Sequence, residues 1–481
     1  MDALTLKRRW NPSTMSEIRA VTHSGEPMGL ETSVVSAFSD GLRGGVLLPG
    51  AAGFDRARRI WNGMIDRQPA LIARCIGTAD VVRAVRFARE HDVLTAIRGG
   101  GHNVAGNAVC DGGLMIDLSP MRGVHVDPDN SRAHAGGGTT WGDFDVETQL
   151  HGLATTGGLI SDTGVAGLTL GGGLGWLTPS YGLACDNLAS VDIVTAEGAL
   201  VRASSNQNED LFWGLKGGGG NFGVATSFEF DVYPVGPMLF GGMSLYSLDE
   251  AQPVLRHFVD FHSSKSDELG TLAAFTVTPD GQSVLGLVAL YNGPLEEGEK
   301  ALAPIRQFAK PLLDTFGPIP YCKMQTLFDA GAAPGLRYYW KSSFVERLPD
   351  DVLAAIIEQV RTRPSKQCKI FLEFLGGEFA RVPPEATVFD HRQSPYDILI
   401  IGCCDDRSED EATRAWTRNT FESIRPCAAN GVYVNYLGTE EDEGSNRVPD
   451  AYGPGKLERL VALKRKYDPD NMFRLNQNIR P

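Results

Sequence analysis

Between about residues 70 and 240 the apolar positions fall into short runs broken by glycine. In TADVVRAVRFAREHD, the residues Val81, Val82, Val85, Phe87 and Ala88 recur at helical spacing, which predicts a helix with Thr78 as its N-cap. A short strand, VLTAIR, follows. GLMIDLSPM then alternates Leu114, Ile116 and Leu118 on one side, the period of a strand. From about 240 to 430 the glycine clusters cease, and alternating segments such as LFGGMSLYSL and SVLGLVALYNG intersperse with helical ones such as PDDVLAAIIEQV. That change predicts a second unit of sheet and helices, suited to a lid or substrate wall. The first 50 residues are weakly periodic and read as an irregular arm. The closing stretch, YDPDNMFRLNQNIRP, is polar and would fray unless it packs back on the first unit, which would make that unit discontinuous in sequence.

Length supports two units, because 481 residues exceed one typical core. Charge removes partners: 45 Lys and Arg against 59 Asp and Glu leave a net charge of -14, with no basic run to attract a nucleic acid or an anionic membrane. No window approaches a transmembrane span. The first residues lack the apolar stretch of a secretion signal, and the eight cysteines are scattered, with only Cys403 and Cys404 adjacent. A reduced, cytoplasmic protein is the expectation.

The glycines carry the chemistry. Clusters at Gly99 to Gly101, Gly136 to Gly138, Gly171 to Gly173 and Gly217 to Gly220 are costly in conformational entropy, and several close strands. Turn chemistry accounts for one such cluster; four suit a backbone that closely approaches a flat or anionic ligand. Gly218, Gly220 and Gly223 satisfy GxGxxG, but the following VATSFEFDVYPV reads as a strand, so the motif fails its own test for a dinucleotide fold. No GxxxxGK[ST] loop, HExxH pair, CxxC or GxSxG elbow is present. His102, taken alone, reads as a structural or solvated loop histidine.

Five ordered motifs together say more: RGGGHNVAGNAVCDGGLMIDLSPMRGVHVDP, TGVAGLTLGGGLGWLTPSYGLACDN, LFWGLKGGGGNFGVATSFEF, VYVNYLG and YDPDNMFRLNQNI. In these the chain resembles the berberine bridge enzyme-like FAD-linked oxidases of the vanillyl alcohol oxidase superfamily, from about residue 65 to the C-terminus. The resemblance implies an α+β, two-domain fold: a PCMH-type FAD-binding domain, discontinuous in sequence, and a substrate domain with a large antiparallel sheet flanked by helices. The expected boundaries are an arm at 1–50, the first part of the FAD-binding domain at 51–240, the substrate domain at 241–430 and a returning C-terminal segment at 431–481.

The same resemblance implies site residues. His102 matches the histidine bonded to the flavin 8α-methyl, and Gly99, Gly100 and Gly101 match the glycines crowded against the FAD pyrophosphate. Arg98, Asn103, Thr163, Gly164, Gly167, Gly171, Gly172, Gly173, Gly175, Trp176, Tyr433, Asn435 and Asn476 are the further cofactor-binding residues expected. Asp186 and Asn187 join them, with a plain turn as the alternative reading. Ile160 stands where many relatives carry a second, cysteinyl link, so a single covalent bond is expected. Thr163 stands where relatives admit or exclude oxygen, and its isosterism with valine leans towards an oxidase.

Tyr436, the last residue of YVNY, is the expected base, since oxidising an alcohol by hydride transfer to flavin N5 requires the hydroxyl proton to leave. Lys341 is a candidate cation to stabilise its phenolate, and Tyr339, with Tyr338, a candidate polar neighbour. Leu399 falls near a position where relatives use a carboxylate or glutamine, and Leu174 replaces the tyrosine of GGGYG. Both make the site less polar than that of sugar-oxidising members. The resulting expectation is an FAD-dependent oxidase of a hydroxyl-bearing sugar, alcohol or secondary metabolite that yields peroxide from molecular oxygen. The alternatives are a dehydrogenase with another acceptor and a weakly catalytic flavin-binding protein. No metal is expected.

Overall fold

The computed structural model describes residues 16–263, 265–278, 280–429, 431–438 and 444–481. Three sheets carry the fold among the described residues, and it is α+β. The first places Val46–Leu47, Leu71–Arg74, Leu114–Asp117 and Thr95–Arg98 side by side. Leu71–Arg74 and Thr95–Arg98 both run parallel to the strand between them. Parallel neighbours need a crossover, and helix Thr78–Glu90 supplies it, burying Val81, Ala84, Val85 and Ala88. Its N-cap is Gly77, one residue before the predicted Thr78.

The second sheet is antiparallel, in the order Leu200–Ser204, Leu188–Val194, Val224–Asp231, Arg132–Gly136, Val124–Asp127. Val224–Asp231 directly follows the GGGGNFG loop, so the element after that loop is a strand. From residue 16 onward the N-terminal segment is not irregular. Glu17–Val21 pairs with Pro27–Glu31 and helix Thr32–Gly41 follows. Isolated apolar residues there share one buried side, and Phe38 stacks on Phe87 at 4.0 Å. Residues 1–15 of the expected arm lie outside the described residues.

The third sheet has eight strands, with Met238–Ser247, Ser283–Tyr291, Leu269–Val277, Lys369–Phe374, Tyr396–Cys404 and Arg337–Val345 along its main path. Alternation gives it two apolar faces. Ile370, Leu372, Ile398 and Ile400 pack beneath helices Ala251–His262, Leu295–Phe308, Asp350–Arg361 and Asp410–Ile424. Phe371, Leu399 and Ile401 point the other way, towards the glycine-rich half. Beyond helix Pro454–Tyr467 the chain has no regular element, yet Met472, Phe473 and Ile479 are buried against the first two sheets. No helix among the described residues is long and apolar enough to cross a membrane.

Candidate active site

The face of the large sheet that carries no helices and the glycine loops opposite it enclose a cavity of about 1000 Å³. Strand Thr95–Arg98 ends at its wall, and the chain turns through Gly101 at φ 74°. A Cβ on Gly100 would lie 2.5 Å from the backbone of Gly164, so loops 99–101 and 163–164 meet backbone to backbone. Gly167 and Gly220 line the same cavity with open space where a side chain would stand. Bare peptide edges on several loops form a cradle that fits a flat cofactor with an anionic linker.

His102 sits at the cavity wall under tight control. Its Nε2 lies 3.3 Å from Asp162 Oδ1. Trp61 stacks on its ring at 4.2 Å, and Tyr338 stacks on Trp61 at 3.7 Å. Asn103, Thr163, Tyr433, Asn435 and Asn476 line the cavity with it, as do Ile160 and Leu174. Asn476 is held by its Nδ2 donating to Gly220 O at 3.2 Å and Phe473 O at 2.8 Å.

Across the cavity the Tyr436 hydroxyl donates to Glu373 Oε1 at 3.0 Å. Glu373 stands directly opposite Asp397 in the pairing of strands Lys369–Phe374 and Tyr396–Cys404. Both carboxyls are buried, Glu373 at 5% exposure and Asp397 at 0%. Glu373 Oε2 and both Asp397 oxygens meet no hydrogen-bond donor among the described residues. Two carboxyl groups so placed need a proton between them. Burial pushes Glu373 up to about 7, and burial together with the Glu373 charge pushes Asp397 well above the carboxylate range. Burial also raises the Tyr436 phenol, so it is neutral and a donor at neutral pH.

Several expected residues lie elsewhere. Tyr339 and Lys341 face away from the cavity, because strand alternation sends Tyr338 and Trp340 to the cavity and their odd-numbered neighbours to helix Asp410–Ile424. There the Lys341 ammonium lies 5.0 Å from the Phe421 ring, and Arg414 and Arg418 lie 5.7 and 5.4 Å from that of Tyr339. Lys341 is thus no partner for Tyr436. Arg98 donates to Ala57 O rather than lining the cavity.

Gly171, Gly172, Gly173 and Gly175 also stand behind the wall, where close packing requires them: a Cβ on Gly175 would meet Gly157 O, and one on Gly171 the Asn435 amide. Trp176 is buried against Phe328. Asp186 is bound to Arg392 by two contacts of 2.7 Å, and the Asn187 amide donates to Tyr181 O and Leu183 O. Those two residues brace a turn and do not touch the cavity.

Glu373, Asp397 and Asp162 escaped the sequence reading. The signal for the first two was present: single carboxylates in the strands KIFLEF and YDILIIGCC, every residue of which is buried.

A cradle of bare peptide edges, a clamped histidine and a tyrosine hydrogen-bonded to a buried carboxyl pair define an FAD-dependent oxidoreductase, and comparison with known proteins agrees. Residues 69–204 match the FAD binding domain model, and residues 432–480 match the model described as berberine and berberine like. An FAD-linked oxidoreductase of Dictyostelium discoideum is 32% identical over 94% of this chain and 97% of its own. (R)-6-Hydroxynicotine oxidase of Paenarthrobacter nicotinovorans is 29% identical over 92% of this chain and 97% of its own. The solved structure of 6-hydroxy-D-nicotine oxidase from Arthrobacter nicotinovorans superposes with TM-score 0.83 at 29% identity, covering 92% of this chain and 98% of that one. A chitooligosaccharide oxidase shares the fold, with TM-score 0.82 at 23% identity over 93% of this chain and 99% of its own. The chain belongs to the berberine bridge enzyme-like family of FAD-linked oxidoreductases.

Proposed function

We propose that the protein is an FAD-dependent oxidase of a hydroxyl-bearing small molecule, with residues 51–240 and 431–481 binding the cofactor and 241–430 forming the substrate wall. Bound FAD supplies a two-electron acceptor for the hydride that leaves the carbinol carbon, and oxygen takes those electrons to give peroxide. Gly99, Gly100, Gly101, Asn103, Thr163, Gly164, Gly167, Tyr433, Asn435 and Asn476 would hold it. His102 would carry it by a covalent bond from its imidazole, with Asp162 Oδ1 standing 3.3 Å from Nε2 beside it. With Ile160 at the cavity wall, no cysteinyl bond accompanies it.

The observation that carries this reading is the hydrogen bond from Tyr436 to Glu373. A neutral tyrosine cannot itself be the resting base, but it can pass a proton on. As the substrate hydroxyl gives its proton to the Tyr436 oxygen, Tyr436 gives its own to the Glu373 and Asp397 pair, which then holds one proton more. Because Tyr436 gains one proton as it gives up another, no phenolate forms, and the cation expected at Lys341 has no charge to stabilise.

The test has two arms. Acid precipitation of the wild type retains yellow flavin, and the His102→Ala variant releases it. Tyr436→Phe keeps the flavin in the precipitate but slows substrate-driven bleaching about 10²- to 10⁴-fold. Wild-type protein that releases all its flavin, or Tyr436→Phe turning over at the full rate, overturns the corresponding half. Reoxidation of reduced enzyme in air separates an oxidase from a dehydrogenase with another acceptor.

A further inference from the structure

Glu373 stands between two cavities. It lines the large one, where Tyr436 meets its Oε1, and also a second space of about 30 Å³. Among the described residues only Leu159 and Leu174 share that position with it, so these three form the partition. The second space has room for one or two water molecules. Leu272, Pro179 and Leu375 make the rest of its wall largely apolar, yet two residues there carry unmet polar atoms of opposite kind. Glu373 Oε2 and Trp176 Nε1 are both buried, and neither meets a hydrogen-bond partner among the described residues. Trp176 is fixed in place by its stacking on Phe328 at 5.9 Å. Thr178 adds a hydroxyl, whose oxygen accepts from Gly175 N at 2.9 Å. Neighbouring unmet atoms stand elsewhere: Trp340 belongs to the large cavity, Ser342 lines neither space, and Thr271 pairs with Phe374 on the face beneath the helices.

An indole N–H only donates and a carboxylate oxygen only accepts, whereas water does both. A water in the small space that accepts from Trp176 therefore has a proton to offer Glu373, with the Thr178 hydroxyl as a third partner. We propose that Trp176 holds such a water against Glu373 Oε2 and is thereby a positioning residue for the proton acceptor. A hydrogen bond given to the ionised carboxyl favours that form, and more strongly in a low-dielectric space. The other groups that face Glu373 are Asp397 on the neighbouring strand and the Tyr436 and Tyr433 phenols, and Arg447 acts on the pair through Asp397. That Glu373 accepts the substrate's proton rests on the oxidase reading above; the water does not.

The water and its effect are tested apart, both on the flavin-loaded enzyme. A high-resolution crystal structure of the wild type is expected to show an ordered water within hydrogen-bond distance of both Trp176 Nε1 and Glu373 Oε2, and that of Trp176→Phe to lack it. The midpoint of Glu373 protonation is read without substrate, from the infrared carboxyl band that Glu373→Gln removes. In Trp176→Phe this midpoint is expected to rise by about one pH unit, the scale of one hydrogen bond to a charged group. A tryptophan that only packs would leave the midpoint unmoved, or lower it by letting more water in. No such water in the wild type, a water that persists in the variant, or a midpoint that stays or falls overturns the proposal. The wild-type map decides even where Trp176→Phe does not fold. Neither readout needs turnover, so a Tyr436→Phe variant running at the full rate sinks the relay and leaves the water standing.

Discussion

Glu373 is a carboxyl placed where a carboxylate is expensive. Burial holds its proton up to about pH 7, so near neutrality the pair with Asp397 stands between one proton and two. A proton relay through Tyr436 needs Glu373 free to accept. The rate of anaerobic flavin reduction by substrate should therefore rise with pH and level off above about 7, where Glu373 is ionised. Glu373→Gln cannot accept at any pH. Stopped-flow absorbance should show it slowed about 10²- to 10⁴-fold with the acidic limb gone; a variant that keeps both rate and limb would place the acceptor elsewhere. His102 and Tyr436, which the sequence singled out, both line the cavity, because each lies inside a contiguous motif. Glu373 and Asp397 lie 24 residues apart by their numbers and become neighbours only through strand register, which no local pattern states. Lys341 and Tyr339 failed for a related reason: their strand was recognised, but which of its two faces meets the cavity depends on the register with Tyr396–Cys404.

The C-terminal segment shows how an element with no secondary structure is nonetheless held. Lys464, near the end of helix Pro454–Tyr467, is wholly buried. It donates to Asp468 Oδ2 at 2.7 Å, Asn221 O at 2.9 Å and Phe473 O at 3.0 Å. Asp468 in turn accepts from Met472 N at 2.7 Å and Phe473 N at 2.9 Å, while Asn221 Oδ1 accepts from Ile479 N at 2.9 Å. One buried ion pair thus joins the helix, the GGGGN loop and the strand-less tail that brings Asn476 to the cavity. Composition foretold that so polar a tail must be anchored, yet YDPDNMFRLNQNIRP does not reveal that a lysine on the preceding helix anchors it. Lys464→Met strands Asp468 as a lone buried charge, at a cost of about 3 to 5 kcal/mol. Denaturant unfolding should show that loss, and the variant should incorporate less flavin as it folds. A loss below about 1 kcal/mol would mean the tail is held by its apolar residues alone.

At the scale of the whole molecule the two halves close over the cavity through a few buried polar contacts, and one of them makes stability depend on pH. Asp145, on helix Trp141–Gln149 of the glycine-rich half, accepts from Gln325 Nε2 of the sheet half at 2.9 Å. Its other oxygen has no partner, and the fully buried Tyr321 packs nearby on the helix that carries Gln325. Burial pushes the Asp145 carboxyl up to about 7, only partly opposed by the Gln325 amide. In the unfolded chain it titrates near 4. Between those values the native state holds a proton that the unfolded chain has released, so stability falls as pH rises from about 4 to about 7. Glu373 and Asp397 act with the same sign. His262 acts against them, since burial lowers it to about 4 and its contribution grows with pH until the unfolded histidine is neutral. The total curve is therefore a compromise, and only a difference isolates the junction. Asp145→Asn keeps an oxygen for Gln325 and has no proton to lose. Its melting temperature, measured against wild type, should gain with each step of pH from 4 to 7 and hold that gain above 7. A gap that does not vary with pH would show that Asp145 is ionised in the folded protein throughout, and that the junction between the halves tolerates a buried charge.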